Sequence, residues 1–381
     1  MSDVFLITAV RSPVGVGKPN GALNPIAPLD LIAHLLRVVP QRAGVDPALV
    51  QDVILGCVSP IGEQGANIAR LAALKAGFPV EVPGVTLNRM CGSSQQAIHF
   101  AAQAIASGDM EIVIAGGIES MSRVPIGSDW PQEWPAEFPY RLVHQGQSAE
   151  MMAEKWKLTR DQLDDYAFES HVRAAAATRE GRFEREIVPV PVTREGATQM
   201  VTVDEGFRPN PDRARMGALK PVFKEGGVIT AGNASQISDG AAAVLLASEA
   251  AVKQHGLKPR ARLVARVVVG ADPELMLTGP IPATRQVLKK AGLALADIGV
   301  VEINEAFASV VLAWQKETGA DLRRVNPNGG AIALGHPLGA SGARLMTTLL
   351  HELERRNARY GLQTMCIGHG MATATIIERE T

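Results

Sequence analysis

The chain repeats itself, and that repeat limits the possible folds more than any other feature. A helix-like stretch, the segment Arg42-Ala43-Gly44-Val45 and the run Asp52-Val53-Ile54-Leu55-Gly56-Cys57 follow one another within residues 30–58. Residues 283–303 give the same series: a helix-like stretch, Lys290-Ala291-Gly292-Leu293, then Asp297-Ile298-Gly299-Val300-Val301-Glu302. Ala43 and Ala291 are 248 positions apart. The echo continues through a helical segment (Ala66–Gly77, Ala306–Gly319) and a loop of small polar residues (Cys91-Gly92-Ser93-Ser94, Gly335–Gly342). Each half then predicts a helix (Gln95–Ser107, Ala343–Arg355) and a strand ending in glycines (Glu111–Gly117, Gln363–Gly370). An ordered series of this kind marks one structural unit used twice. Its strands, such as Ile112-Val113-Ile114-Ala115 and Val264–Val269, are apolar runs rather than alternations, the pattern of strands covered on both faces by helices. Two related α/β halves packed together are expected.

Between the halves, from about 119 to 237, the character changes. An aromatic and proline-rich run (Trp130, Pro131, Trp134, Pro135, Phe138, Pro139, Tyr140) leads to one well-signalled helix. Thr159 is its N-cap, Gln162 completes a capping box, and Leu158 and Leu163 occupy the staple positions. A basic segment and Thr230-Ala231-Gly232-Asn233-Ala234-Ser235 follow. The expected division is 1–118 plus 238–260 for the first half, 119–237 for an inserted loop domain and 261–381 for the second half. Insertions of this kind carry substrate or subunit contacts.

The 381 residues are enough for two or three domains, and a chain this long buries about three quarters of its unfolded surface. Lys and Arg number 38 against 39 Asp and Glu, a balance that argues against nucleic-acid binding, which needs a basic face. Met1–Val10 has an acid where a secretion signal needs a base and reads as a short buried strand. No apolar run approaches the roughly 18 residues of a membrane helix. Cys57, Cys91 and Cys366 form no CxxC pair, so neither a disulfide framework nor a zinc site is expected, and a reducing cytoplasm is the expected location.

Few residues are suited to chemistry. Cys91 stands where a strand ends near Asn88 and a helix begins, among Asn, Arg, Gly and Ser with little apolar company. Unpaired N–H groups and the helix dipole favour thiolate there, which predicts a pKa lowered from about 8.5 into the range of roughly 3.5–7.5. His336 lies in a glycine-rich run, Asn326 to Gly342, that has neither a Gly-Lys-Ser/Thr ending nor GxGxxG. Fixed before Pro337, it is placed to orient or deprotonate a partner, although a lone histidine is often structural. Cys366 closes a strand before Ile367-Gly368-His369-Gly370 and is either a proton carrier or a buried strand cysteine. Cys57 reads as structural. Asn304 and Glu305 follow the second Asp-led strand, where α/β folds place ligands.

Together these blocks resemble the thiolases, the acetyl-CoA acetyltransferases and 3-ketoacyl-CoA thiolases. The resemblance rests on Asn88-Arg89-Met90-Cys91-Gly92-Ser93, Asn304-Glu305-Ala306-Phe307-Ala308, Gly335-His336-Pro337-Leu338-Gly339 and Cys366-Ile367-Gly368, and it spans essentially the whole chain. It implies a five-layer αβαβα core with an inserted loop domain, and a homotetramer or homodimer. It implies that Cys91 carries the acyl group and that Cys366 exchanges a proton with the acetyl-CoA carbanion. His336 would activate Cys91 and, with a water held by Asn304, bind an oxyanion, while the N–H groups of Cys91 and Gly368 form a second such site. Coenzyme A enters as substrate; no cofactor and no metal is implied. C–C cleavage needs this set: a soft nucleophile, an acid/base for carbon, and donors where oxyanions develop.

Similarity to the family's CoA contacts points to His144, Arg208, Phe223, Ala231, Ser235, Met276 and Phe307. The cations Arg208, Arg213, Arg215, Lys220 and Lys224, interleaved with Phe207 and Phe223, are of a kind to meet phosphates and adenine. Two positions depart from the pattern. Gln145 stands where many members have Met, and His369 stands in the middle of the usual Cys-x-Gly-Gly-Gly, with its ring expected to point away from Cys366. Met121–Pro125 and Gln236–Gly240 look most like degradative members, which cleave fatty or steroid side-chain esters. Three rivals are weighed beside this reading. A decarboxylating ketoacyl synthase would have His or Asn in place of Cys366; a Cys/His hydrolase of thioesters needs no second thiol; a non-catalytic acyl-CoA carrier needs neither thiol nor histidine.

Overall fold

Nine strands follow one another along a single hydrogen-bonded path in the computed structural model, which describes residues 3–135 and 137–380. Met1 and Ser2 of the expected first strand, Ala136 of the aromatic run and the last residue, Thr381, lie outside the described residues. The first half supplies β1 (Val4–Arg11), β2 (Asp52–Gly56), β3 (Gly84–Leu87), β4 (Ile112–Ser120) and β5 (Ser238–Ser248). The second supplies β6 (Ala261–Gly270), β7 (Ile298–Ile303), β8 (Tyr360–Ile367) and β9 (Met371–Arg379). Their order is β7-β8-β9-β6-β1-β5-β4-β2-β3.

The duplication is complete at the level of topology. In the first half β1–β5 and β5–β4 are antiparallel, and β4–β2 and β2–β3 are parallel. In the second, β6–β9 and β9–β8 are antiparallel, β8–β7 is parallel, and a parallel bridge from Val301 to Val325 stands in for the fifth strand. Among the described residues the two sets of strands pair where Phe5 and Leu6 meet Arg262 and Ala261. The spacing of 248 read from the sequence recurs in three dimensions. It separates the C-capping glycines Gly44 and Gly292, the strand starts Ile112 and Tyr360, and the helix starts Ser93 and Ser341.

Helices α1 (Pro28–Ala43) and α2 (Ile68–Ala76) cover one outer face. The helix α3 (Ser93–Ser107) lies in the middle layer between the sheets. The insertion contributes α4 (Gln145–Lys155) and α5 (Arg160–Arg179), which pack with α7 (Ala308–Thr318). Helix α6 (Pro280–Ala291) covers the second sheet, and α8 (Ser341–Arg356) lies against α3. The middle layer is therefore the pair α3 and α8, one from each half, whose Ala97, Ile98, Ala101, Ala343, Met346 and Leu349 are fully buried between the sheets. Close packing explains Ala97, Ala101 and Ala102 of α3 and Ala343 of α8, since small side chains let two helices and two sheets approach closely.

Glycine sets the closest contacts, and here the strand boundaries differ from expectation. Gly116 and Gly117 lie inside β4, which runs on to Ser120. A Cβ on Gly117 would stand 2.1 Å from the carbonyl oxygen of Gly339, so the residue is needed for the loop of the second half to rest on the strand. A Cβ on Gly342 would likewise strike the backbone of Gln95 at 2.3 Å, at the crossing of α3 and α8. The capping box at α5 is formed as read: Thr159 accepts from Gln162 N–H, and Gln162 accepts from Thr159 N–H. The insertion is tied to β1 by the fully buried Arg11, which donates to Glu186 (2.6 Å) and to both oxygens of Asp204 (2.7 and 2.9 Å).

Candidate active site

The loop before each middle helix carries a reactive residue, and the duplication brings the two loops together. Helix α3 is preceded by Asn88-Arg89-Met90-Cys91-Gly92, a tight elbow in which Met90 adopts φ 46°. Side chains hold the elbow. Asn88 Oδ1 accepts from Met90 N–H (2.7 Å), and Ser93 Oγ accepts from Arg89 N–H while donating to Met90 O (2.6 Å). Helix α8 is preceded by Gly335-His336-Pro337-Leu338-Gly339, and Ser94 at the start of α3 accepts a hydrogen bond from Ala343 N–H of α8 (2.9 Å). Glu119 at the end of β4 fastens the His336 loop to the turn after β2, accepting from Gly339 N–H (2.9 Å) on one side and from Val58 N–H, Ser59 N–H and Gln64 on the other. Nothing in the sequence singled out Glu119; a carboxylate at the end of an apolar strand, pushed up in pKa by its burial, is its only signal.

Cys91 is buried, and its surroundings correct the sequence reading twice. Its neighbours are apolar: Val58, Met121, Leu338, Leu345, Met365 and Ile367. Burial pushes its thiol up to about 11 instead of down, although three donors favour the thiolate: the N–H of Gly368, the Gln145 side chain and its own N–H. Desolvation of a charged sulfur outweighs the helix terminus, because these chains come from both halves and exclude water. Gln145, which the family pattern marked only as a departure, is thus a donor to the nucleophile. Its Nε2 lies 3.3 Å from the position a Cβ on Gly368 would take.

Cys366 is buried at the end of β8, close enough to Cys91 that a charge there raises its own pKa further, after burial itself. Cys57 is also buried, with its sulfur 4.0 Å from Glu119 and its thiol pushed up by desolvation, as suits a structural residue. His336 is buried and held neutral, its pKa pushed down to about 3 by desolvation and by the Arg344 cation. Its tautomer follows from the hydrogen bonds. Ser341 Oγ spends its one proton on Pro337 O (2.8 Å), so it accepts from His336 Nδ1 (2.6 Å). Nε2 then carries the lone pair and accepts from Asn304 Nδ2 (3.2 Å). Asn304 Oδ1 is buried with no hydrogen-bond partner among the described residues. Sequence reasoning missed Ser341, which lies in the quoted loop.

The residues expected to meet coenzyme A fall partly together. His144 caps α4 by accepting from Gly146 N–H (3.1 Å), and its ring stacks on Phe223 at 5.1 Å. Phe223 in turn meets Phe307 edge to face at 6.0 Å. Ala231 and Ser235 lie on the segment that runs antiparallel to Phe307, with Ser235 N–H donating to Ala306 O (2.9 Å). Met276 is buried in the same cluster as Phe307, with φ 39°. Arg208 is exposed on a different turn, where its N–H donates to His171 Nδ1. Two of the expected phosphate cations are engaged elsewhere: Arg213 pairs with Asp161 and Asp165, and Lys224 with Glu154. Acid groups on α4 and α5 face the basic segment, which sequence spacing did not reveal. The His369 ring lies edge-on to Trp134 at 6.1 Å. Among the described residues no cluster of three His, Cys, Asp or Glu side chains could hold a metal ion, and no helix is long and apolar enough to cross a membrane.

Comparison with known proteins agrees with this geometry. The family model of the thiolase N-terminal domain matches residues 4–250, and that of the thiolase C-terminal domain residues 257–379. The chain is 54% identical to a steroid 3-ketoacyl-CoA thiolase of Mycobacterium tuberculosis, covering all of this chain and 95% of that one. It is 46% identical to a 3-ketoacyl-CoA thiolase of Yersinia pestis, over the full length of both. Among solved structures, the acetyl-CoA acetyltransferase of Bacillus anthracis superposes with a TM-score of 0.93 at 39% identity, covering all of this chain and 99% of that one. Human mitochondrial 3-ketoacyl-CoA thiolase gives 0.92, at the same identity and coverage. With two thiols and a neutral histidine brought together by duplicated halves, and with relatives matched from end to end, the chain belongs to the thiolase family.

Proposed function

We propose that the protein is a degradative thiolase, cleaving 3-ketoacyl-CoA with coenzyme A to give acetyl-CoA and a shortened acyl-CoA. The observation that carries this reading is the second buried thiol, Cys366, beside Cys91 in a site that also holds neutral His336. Nε2 of His336 takes the Cys91 proton, and the sulfur attacks the C3 carbonyl. The C2–C3 bond breaks, its electrons go to C2, and Cys366 gives C2 a proton to complete acetyl-CoA. In the second step Cys366 takes the proton of the coenzyme A thiol, whose sulfur attacks the acyl group on Cys91 and releases that thiolate, to which His336 returns its proton. The developing oxyanions meet the N–H groups of Cys91 and Gly368 on one side and His336 with Asn304 on the other; the orphaned Asn304 Oδ1 is an acceptor that a bound water would satisfy. Losing one such donor costs on the order of 10²–10³ in rate.

The His144–Phe223–Phe307 row, Ala231, Ser235 and Met276 form the groove for coenzyme A, in the loop domain 119–237 and at its seam with the second half (261–381); Arg208 is the cation for a phosphate. Coenzyme A is a substrate, no further cofactor is needed, and the working form is a homotetramer or homodimer in the cytoplasm. A hydrolase reading leaves Cys366 without a task. The test is release of acetyl-CoA from acetoacetyl-CoA and from longer 3-ketoacyl-CoA esters, with and without free coenzyme A. Release only with coenzyme A supports thiolysis; acid formed without it refutes it.

A further inference from the structure

Of the five exposed aromatic side chains among the described residues, four lie between Ile126 and Tyr140 and the fifth is Phe100. Ile126, Trp130, Trp134, Phe138 and Tyr140 are each between 44% and 56% exposed. Two of these rings are ordered into a row that ends at the catalytic turn. Trp130 meets Trp134 edge to face at 6.3 Å, and Trp134 meets the His369 ring at 6.1 Å. His369 follows directly on Gly368, whose N–H points at the Cys91 sulfur. It also adopts φ 62°, a left-handed conformation that glycine takes without strain and that side chains rarely keep. A residue held there against its preference directs attention to what its side chain does.

We infer that Trp130, Trp134 and His369 form one wall of the acyl-binding cleft and select a bulky, flat, ring-bearing acyl group over a slender straight chain. The inference rests on the thiolase reading above. The acyl carbon bonded to Cys91 lies at the start of this wall, so the remainder of the acyl group must pass along it or turn away from it. Rings present broad faces and little conformational freedom, and so bind a rigid apolar skeleton at low entropic cost, whereas a flexible chain must be ordered to gain the same contact. Met90 and Met371, partly buried beside the same turn, add adaptable surface.

The test compares kcat/KM for thiolysis of a 3-ketoacyl-CoA whose tail carries a saturated fused two-ring system with that for 3-ketooctanoyl-CoA. The wild-type enzyme is expected to favour the ring ester. The ratio of the two values should fall about tenfold in W134A and in H369G, the size of effect an apolar pocket contact gives. H369F, which keeps a ring at the turn, should hold the ratio within about twofold. A wild-type preference for the straight chain overturns the inference, as does a ratio that neither W134A nor H369G changes. A smaller assembly of W134A on size exclusion with the ratio unmoved assigns the row to a subunit interface and also overturns it. Absence of coenzyme A-dependent release from both esters by the wild type would instead refute the thiolase reading itself.

Discussion

At the scale of single residues, the site sets burial against hydrogen bonding. Cys91 has three donors aimed at it and still ends with a thiol pushed up to about 11, because its apolar neighbours and the closed loops remove water. The sign has a direct consequence. Below that value each pH unit changes the thiolate fraction about tenfold, so alkylation of Cys91 by iodoacetamide should rise about tenfold per unit from pH 7 to pH 10 without levelling. A plateau near pH 7 would show a thiolate already formed in the resting site. Gln145→Met removes one donor and should lower kcat by about tenfold or more while shifting the alkylation profile to still higher pH. Ser341→Ala frees the His336 tautomer that Ser341 now fixes. We expect a fall in kcat of about 10–100-fold with KM little changed, the range seen when a group that orients an active-site histidine is lost.

At the scale of elements, two buried carboxylates organise loops that glycine allows to meet. Glu119 joins the turn after β2 and the His336 loop to the end of β4, and Glu305 accepts from Tyr166, Ser170, Asn326 and Ile332 N–H, joining α5 to the turn after β7. Glu119→Ala strands several buried N–H donors, each worth about 1–3 kcal/mol, so urea unfolding should report a loss of at least about 3 kcal/mol together with loss of activity. These ties were not legible in the sequence, where Glu119 is one acid among many and Glu305 reads as a residue at a ligand position; its oxygens are instead taken up by Tyr166, Ser170, Asn326 and Ile332 N–H. The helices were legible, because their caps and apolar periodicity are local: α5 begins at its capping box, and Gly44 and Gly292 end α1 and α6 in left-handed geometry. The strand ends were less so. Gly116 and Gly117 look like terminators in one dimension, whereas the space around them is filled by backbone from another part of the chain. The same blindness to distant neighbours made Cys91 look polar and thiolate-forming. Its neighbours along the chain are polar, whereas its neighbours in space are apolar and decide the outcome.

At the scale of the whole molecule, duplication explains why the site exists. Each half places a loop before its middle helix, and stacking α3 on α8 brings Cys91 of one half to the loop that carries His336 of the other. The repeat of 248 positions makes this architecture legible in the sequence, since it recurs at helix starts, strand starts and caps alike. Neither half is complete alone, and the insertion is held to β1 by the buried Arg11 with Glu186 and Asp204. Arg11→Ala leaves two carboxylates buried without their cation and should destabilise the fold by roughly 3–5 kcal/mol in urea unfolding. The central claim is that Cys91 carries the acyl group between the two steps. It is tested most directly by mixing the protein with a 3-ketoacyl-CoA in the absence of free coenzyme A and mapping the adduct by mass spectrometry. The account predicts an acyl group on Cys91, absent in Cys91→Ala, that disappears on adding coenzyme A as the shortened acyl-CoA forms. An adduct on any other residue, or one that decays to free acid with coenzyme A present, would contradict it.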